Sequence, residues 1–421
     1  MTRTLDVYLH RRLVGHLIQD EHGQMIFRYA NSWLDSEGAI SLSHSLPLRK
    51  EPFGRNECRG FFAGLLPEES KRQIIARNLG ISAQNDFAML EQIGGECAGA
   101  ITFVPEGQAL PEHECSYRQL TSEELAKLLK DLPRRPLMAG EDGVRLSLAG
   151  AQDKIAVHVA GNRISLPLGS SPSTHILKPT IEHYEGIVFN EAFCMRLAHA
   201  AGLHTAKVEI RQVEGLDYLL IERYDRRVTA GSEGSPGLLE REHQEDFCQA
   251  LGIVPENKYQ NEGGPSFKQC FDLLRQISSV PVLDLRAMLD AAIFNFLVGN
   301  HDAHGKNFSI IYGRQTRLAP LYDIVSTAFY PELSTKLAMK LGGEYASQKV
   351  TAKQFDAFAD EVGLGKSMVR SRLRELAEGV LTNLPKIDTG RPVEQALASL
   401  ILARCQKALQ KAIGRNGEHR P

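Results

Sequence analysis

The feature that most restricts this chain is a dense polar stretch, Gly299-Asn-His-Asp-Ala-His-Gly-Lys-Asn-Phe308, placed directly after an apolar run over 285–298. The run predicts a helix over 284–298, so the stretch begins at a helix-to-loop transition. Asp302, His304, Lys306 and Asn307 crowd into six residues. Polar groups that dense beside a buried helix need a ligand, a metal or one another, because leaving them unpaired away from water is costly.

The surrounding pattern changes character along the chain. Residues 1–50 read as short β segments (6–9, 12–14 and 25–29), followed by helices over 68–79, closed by Gly80, and 83–93. A strand over 100–104 and a capping box at Thr121-Ser-Glu-Glu124 follow, and Pro133, Pro136 and Gly140 suggest a linker. From 140 the chain is β-rich: strands over 155–159 and 164–166 flank Gly161-Asn162, a hairpin signal, with further strands over 174–178, 206–210 and 217–222. One helix, 189–201, interrupts them. Gly231-Ser-Glu-Gly-Ser-Pro-Gly237 is a connector by composition. Beyond 240 the pattern is helical: 242–251, 266–277, 284–298, 351–362, 366–380 and 393–413. Three parts are expected: a mixed module over 1–135, a small β-rich lobe over 140–238 and a helical lobe over 239–421.

Composition removes several function classes. With 421 residues, 43% hydrophobic and 24% charged, the chain can bury a sizeable core. It has no apolar stretch of membrane-spanning length and no secretory start, so a cytoplasmic protein with no membrane partner is expected. Lys plus Arg is 49 and Asp plus Glu is 51, leaving a net charge of −2 and no global attraction for nucleic acid. Seven cysteines without a C-x-x-C pair indicate neither a disulfide framework nor a zinc cluster. Within 361–421 eleven basic residues face six acidic ones; a solvated helix face explains this, as would a weak contact with DNA or a protein partner. Trp33 reads as core.

Phosphoryl transfer needs a carboxylate to orient the acceptor hydroxyl, oxygen ligands for magnesium and cations on the phosphates. Protein kinases place the base Asp five positions before a magnesium-binding Asn, in H-R-D-x-x-x-x-N. Here Asp302 precedes Asn307 by five and His301 precedes Asp302, although the Arg is missing. Asp323, in Leu321-Tyr-Asp-Ile-Val325, stands where a kinase keeps its second metal-binding Asp. On spacing alone a structurally hydrogen-bonded polar loop is the commoner reading. Upstream parts add weight. Lys178 ends a strand and Glu191 follows thirteen residues later in a helix. Leu220-Ile-Glu-Arg-Tyr224 fits a hinge, and Ser147-Leu-Ala-Gly-Ala-Gln-Asp-Lys154 fits a phosphate-cradling loop in which Gly150 permits close backbone approach. That loop matches neither of the usual glycine-rich signatures. The order of the six parts carries the reading.

At this point the chain resembles the HipA family of bacterial toxin serine/threonine kinases. The matching stretches are Ser147–Lys154, Thr174-His-Ile-Leu-Lys-Pro179, Ile221-Glu-Arg-Tyr-Asp-Arg-Arg227, His301-Asp-Ala-His-Gly-Lys-Asn-Phe308 and Leu321-Tyr-Asp-Ile-Val-Ser326. Outside them Ser43-His-Ser-Leu-Pro-Leu48, Ile93-Gly-Gly-Glu-Cys-Ala-Gly99 and Lys336-Leu-Ala-Met-Lys340 also match. The resemblance implies an α+β, protein-kinase-like bilobal fold, with a β-rich N-lobe, a helical C-lobe and an additional N-terminal mixed α/β subdomain. It implies ATP and Mg2+ as cofactors. Asp302 resembles the catalytic base, Asn307 and Asp323 the metal ligands, and Lys178 the ATP-phosphate lysine. Ala149, Gly150, Ala151, Gln152, Asp153 and Lys154 resemble the nucleotide loop, and Glu222, Arg223 and Tyr224 the adenine-side hinge. His304, Gly305, Lys306 and Tyr322 line the same pocket. Where the family commonly reads Asp-Gly-His-Ala-Lys-Asn, Ala303 and Gly305 exchange the small residues. Ser147 occupies the autophosphorylation position. The implied partners are a helix-turn-helix antitoxin (HipB-like), operator DNA through the antitoxin complex, and an aminoacyl-tRNA synthetase as substrate, the glutamyl enzyme favoured. The alternatives are a catalytically silent co-repressor module and an HD-type metal-dependent phosphohydrolase using His301, Asp302 and His304.

Overall fold

The computed structural model describes residues 2–110, 115–181, 183–229, 239–387 and 390–413. The glycine-serine connector over 231–237 lies outside the described residues, as does part of the basic C-terminal stretch. The chain divides into two compact units, each discontinuous in sequence. Unit 1 is Met1–Pro179, Arg211–Glu256 and Ile311–Gly313; unit 2 is Thr180–Ile210, Asn257–Ile310 and Arg314–Pro421.

Unit 1 begins with an antiparallel sheet of β1 (Arg3–Leu9), β2 (Arg12–Gln19), β3 (Met25–Tyr29) and β4 (Ile101–Pro105), ordered β3-β2-β1-β4. Alternation drives it: Leu5, Val7 and Leu9 are fully buried while their neighbours are not. The two-residue turn His10-Arg11 has φ of 47° and 68°, the geometry that matches the twist of a tight hairpin. A second sheet contains β5 (Ser116–Gln119), β6 (Ile155–Ala160), β7 (Arg163–Leu168), β8 (His175–Pro179), β9 (Val208–Val213) and β10 (Leu216–Glu222), ordered β5-β7-β6-β8-β10-β9. Of β9, only 211–213 belong to unit 1. The hairpin read at Gly161-Asn162 is present, with Gly161 at φ 61°.

Three local expectations need correction. Helix Arg55–Gly64 has no counterpart in the sequence reading, and its two glycines, Gly60 and Gly64, lower helix propensity. They are close-approach points: a Cβ on Gly60 would stand 2.5 Å from the backbone of Gly252, and one on Gly64 2.5 Å from Gln249. The helix expected over 242–251 is a strand, His243–Asp246, followed by a single turn, Phe247–Ala250. Asp246 caps that turn by accepting from the Gln249 N–H at 2.9 Å, which fixes where helix can begin. Where proline and glycine suggest a linker near 133–140, Pro136–Met138 is a tight turn with Leu137 and Met138 buried. Trp33 is core, as read, and its indole N–H donates to the Ile40 carbonyl at 3.1 Å.

Unit 2 is mainly helical: Ile187–Ala200, Phe267–Ile277, Pro281–Val298, Ala352–Val362, Lys366–Ile387 and Pro392–Ile413. Pro281–Val298 is apolar on most of its circumference, which makes it a central buried helix. Proline at its first position pre-sets φ, and Gly299 closes it in the left-handed region at φ 77°. Helix Lys366–Ile387 packs against Ala352–Val362, Pro392–Ile413, Ile187–Ala200 and Pro281–Val298. Arg372 clamps Asp290 on the central helix with two bonds of 2.7 and 2.9 Å. Among the described residues no helix is long and apolar enough to cross a membrane.

Candidate active site

The predicted residues divide between the two units. Unit 2 holds Asp302, His304, Gly305, Lys306, Asn307, Tyr322 and Asp323; unit 1 holds Ser147, 149–154, Lys178 and 222–224.

In unit 2 the central helix delivers the loop. Asn300 donates to the Asn295 side chain at 2.9 Å and accepts from the Asp302 N–H at 3.1 Å. His301 N–H donates to the Thr327 hydroxyl at 2.8 Å, and its carbonyl accepts from Ala338 N–H at 2.8 Å. The loop then turns through a short 3-10 helix, Gly305–Asn307. These bonds hold Asp302 at the surface while His304, Lys306 and Asn307 are buried. The Tyr259 hydroxyl donates to Asp302 Oδ1 at 2.8 Å, and its ring meets the His304 ring edge-to-face at 5.3 Å. Tyr259 is absent from the sequence reading. It lies over forty residues upstream in an irregular segment, where no spacing rule connects it to Asp302.

Asp323 reaches the same place by a different route. Leu321 pairs with the chain after helix Ile187–Ala200: its N–H donates to His204 O at 2.8 Å and its carbonyl accepts from Ala206 N–H at 2.9 Å. Three residues beyond Asp323, Ser326 is clamped by the Asn190 amide, at 2.8 and 3.1 Å. Between these tethers Asp323 adopts φ 57°, a conformation that costs a non-glycine residue about 1–3 kcal/mol and is retained where geometry at a site requires it. Asn307 Nδ2 donates to Asp323 Oδ2 at 2.9 Å, and Tyr322 donates to the Lys306 carbonyl at 2.7 Å. Asn307 and Asp323 are hard oxygen donors side by side. Magnesium, which takes one or two such protein ligands and completes its shell with phosphate and water, fits that pair. The His301 imidazole is pushed down to about 4 by burial and then by Arg404, so it is neutral near pH 7.

In unit 1, Gly150 has φ 104°, and a Cβ there would stand 2.7 Å from Lys154 Nζ. That ammonium folds back on the loop to donate to Ala149 O at 2.7 Å. Asp153 is buried and pairs with Lys71 at 2.6 Å. The Ser147 hydroxyl is fully buried and donates to Leu65 O at 2.8 Å. Lys178 is buried in β8, opposite Leu219 of β10.

The hinge stretch differs from the expectation in one respect. Arg223 is buried, and its guanidinium is consumed by Asp225, Glu96, Ser173 and the Cys97 carbonyl. It is therefore a structural residue whose side chain is not offered to a nucleotide base. Glu222 is exposed, and the Tyr224 hydroxyl bonds Gln244. Glu96 is the centre of this network, with Arg223, Arg226 and Arg241 around it. The network ties the segment Ile93–Gly99 to the segment Ile221–Arg227.

Residues 5–104 match the HipA N-terminal domain and residues 146–384 the HipA-like C-terminal domain. The serine/threonine-protein kinase toxin HipA of Shewanella oneidensis is 33% identical over 97% of this chain and 96% of that protein. Y4mE of Sinorhizobium fredii is 47% identical over 91% of this chain and 92% of its own. In the solved complex of Shewanella oneidensis HipA with HipB and operator DNA, the matching chain superposes with a TM-score of 0.85 at 30% identity, covering 99% of this chain and all of that one. The chain belongs to the HipA family of serine/threonine kinases, with the α+β kinase-like fold of that family.

Proposed function

We propose that this protein is the toxin of a toxin–antitoxin pair: an ATP- and magnesium-dependent kinase that phosphorylates a serine on a protein substrate, an aminoacyl-tRNA synthetase and by preference the glutamyl enzyme, and so arrests growth. The observation that carries the reading is the unit 2 loop, where an exposed, tethered Asp302 lies five residues before an Asn307 bonded to the strained Asp323.

Asp302 orients the acceptor hydroxyl and takes its proton, with Tyr259 fixing the carboxylate by its bond to Oδ1. Asn307 and Asp323 would hold magnesium, which neutralises charge on the phosphates when bound. Lys178 and Lys154 carry the cations that phosphates need, and Gly150 keeps the loop backbone open to them. His304, Lys306 and Tyr322 shape the metal-side wall, while Glu222 and Tyr224 serve the adenine. In this reading the chain comprises the three parts 1–135, 140–238 and 239–421.

Burial supports self-inactivation by phosphorylation at Ser147. A phosphate adds about −1.5 to −2 charges. The hydroxyl that would carry it is fully buried against the Leu65 carbonyl, so the phosphorylated loop must leave its place and the nucleotide loses its cradle. A helix-turn-helix antitoxin and operator DNA are the partners in this reading, by analogy with the Shewanella complex. The silent-module alternative lacks a reason for the strained Asp323. The phosphohydrolase alternative is disfavoured because His301 Nδ1 faces the Ser334 carbonyl while Asp302 faces Tyr259.

Incubation with γ-labelled ATP and magnesium tests the reading. Label on Ser147 in the wild type, lost in Asp302→Gln while ATP affinity is retained, is expected. Full labelling of Asp302→Gln would remove the base assignment, and release of free phosphate without self-labelling would favour hydrolysis.

A further inference from the structure

Unit 2 contains a cavity of about 530 Å³ next to the catalytic loop and the segment that follows Asp323. Its size is that of a small-ligand pocket. Phe296, Phe355 and Leu333 supply apolar walls, and no Asp or Glu borders it. Its nitrogen bases and cations are His301, Arg404 and Lys407, set among neutral hydroxyl and amide side chains such as Thr327 and Gln348.

His301 is 6% exposed. Its Nδ1 lies 3.3 Å from the Ser334 carbonyl, which can only accept, so Nδ1 carries the proton and Nε2 keeps a lone pair. Nε2 is buried without a hydrogen-bond partner among the described residues. Arg404 anchors through the Leu297 and Phe296 carbonyls and the Ser347 hydroxyl, at 3.1, 2.6 and 3.2 Å. Among the described residues no carboxylate pairs with Arg404 or Lys407. Apolar walls thus meet a half-buried Arg404 and an exposed Lys407, neither with a carboxylate partner among the described residues, and a buried imidazole acceptor with no donor among them.

We propose that this cavity binds a small hydroxy acid with an apolar body: carboxylate on Arg404 and Lys407, hydroxyl donating to His301 Nε2, hydrocarbon against Phe296, Phe355 and Leu333. The occupant would stiffen the catalytic loop, because His301 precedes Asp302 and its N–H is held by Thr327, which also lines the cavity. Binding itself does not depend on the kinase reading.

The test is calorimetry of the full chain without nucleotide, using 3-hydroxydecanoate, decanoate and the methyl ester of 3-hydroxydecanoate as probes. The hydroxy acid should bind one to one. Decanoate should bind at least about threefold more weakly, and the ester at least about tenfold, since a hydrogen bond to a charged group is the stronger loss. Ala403→Trp, at an exposed helix position on the cavity wall, should abolish binding, and Arg404→Gln should weaken it at least about tenfold. Should Arg404→Gln fail to fold, Lys407→Gln and Ala403→Trp carry the comparison. Hydrogen exchange over 327–335 should slow on binding. No saturable heat up to about 1 mM, equal affinity for acid and ester, or binding that survives Ala403→Trp would overturn the assignment. These readouts need no phosphoryl transfer, so their failure leaves the kinase reading intact and an inactive kinase leaves them intact.

Discussion

Replacing Glu96 with Ala should unfold unit 1 far more readily than any surface change. The carboxylate is fully buried. Oε1 accepts from Ser173 N–H at 2.9 Å, Ser173 Oγ at 2.8 Å, Arg223 at 3.2 Å and Arg226 at 2.7 Å, while Oε2 meets Arg241. Burial alone would push this carboxyl up, but Arg226, Arg241 and Arg223 together hold it below its ordinary value, so it is ionised. Its removal leaves Arg241 without a carboxylate partner among the described residues, and Arg223 and Arg226 with Asp225. Breaking a buried ion pair by deleting one partner costs about 3–5 kcal/mol, against about 5–15 kcal/mol for the whole stability of a typical domain. Trp33, the chain's only tryptophan, is buried in unit 1, so its fluorescence in a urea titration reports this unit. The midpoint should fall by the equivalent of about 3–5 kcal/mol. Glu96→Gln should fall less, because it retains an acceptor for Ser173. In the double variant Glu96→Ala/Arg226→Met the losses should be less than additive. A Glu96→Ala midpoint within about 1 kcal/mol of wild type would refute the idea that the network holds the unit together.

Three further outcomes are expected. Burial raises the Glu245 carboxyl to about 7, against the bonds it accepts from Ser43, Tyr312 and His44. A pKa raised on folding gives stability that is present below the unfolded value and lost as pH rises through the folded one. Wild type should therefore lose about 3 kcal/mol relative to Glu245→Gln between about pH 4.5 and 7, by the same fluorescence titration; parallel pH curves would count against it. Tyr259→Phe keeps the ring on His304 but frees Asp302, so phosphoryl transfer should slow by about three- to tenfold with ATP affinity unchanged, the effect being modest because water can replace the hydroxyl at an exposed carboxylate. An equal loss of nucleotide affinity would show that Tyr259 does more than position Asp302. Gly60→Ala gains helix propensity of up to about 1 kcal/mol, yet its Cβ meets the Gly252 backbone at 2.5 Å, so a net loss of about 1–3 kcal/mol is expected; a more stable variant by urea titration would refute the close-approach argument.

Much of the unit 2 loop was legible because its chemistry is local. Asp302 and Asn307 lie in one loop, and the apolar run before them fixes the helix that delivers it. The capping box at Thr121, the closing Gly80 and the hairpin at Gly161 were legible for the same reason: each is satisfied within a few residues. The partners of the Arg223 side chain were not legible, because position in a motif says nothing about where a guanidinium points. Its partners Glu96 and Ser173 are separated from it by 127 and 50 residues.

The sequence alone determined periodicity, caps, the order of the parts and the crowding of polar groups after residue 299, since these depend on interactions across a few residues. Only the tertiary structure decided that Gly60 and Gly64 are contact points rather than breaks, that Tyr259 holds Asp302, that Glu96 gathers three arginines and that His301 faces a cavity. Each of these depends on chain segments far apart in sequence meeting within a few ångströms, and the packing of a core settles that geometry where no local pattern can.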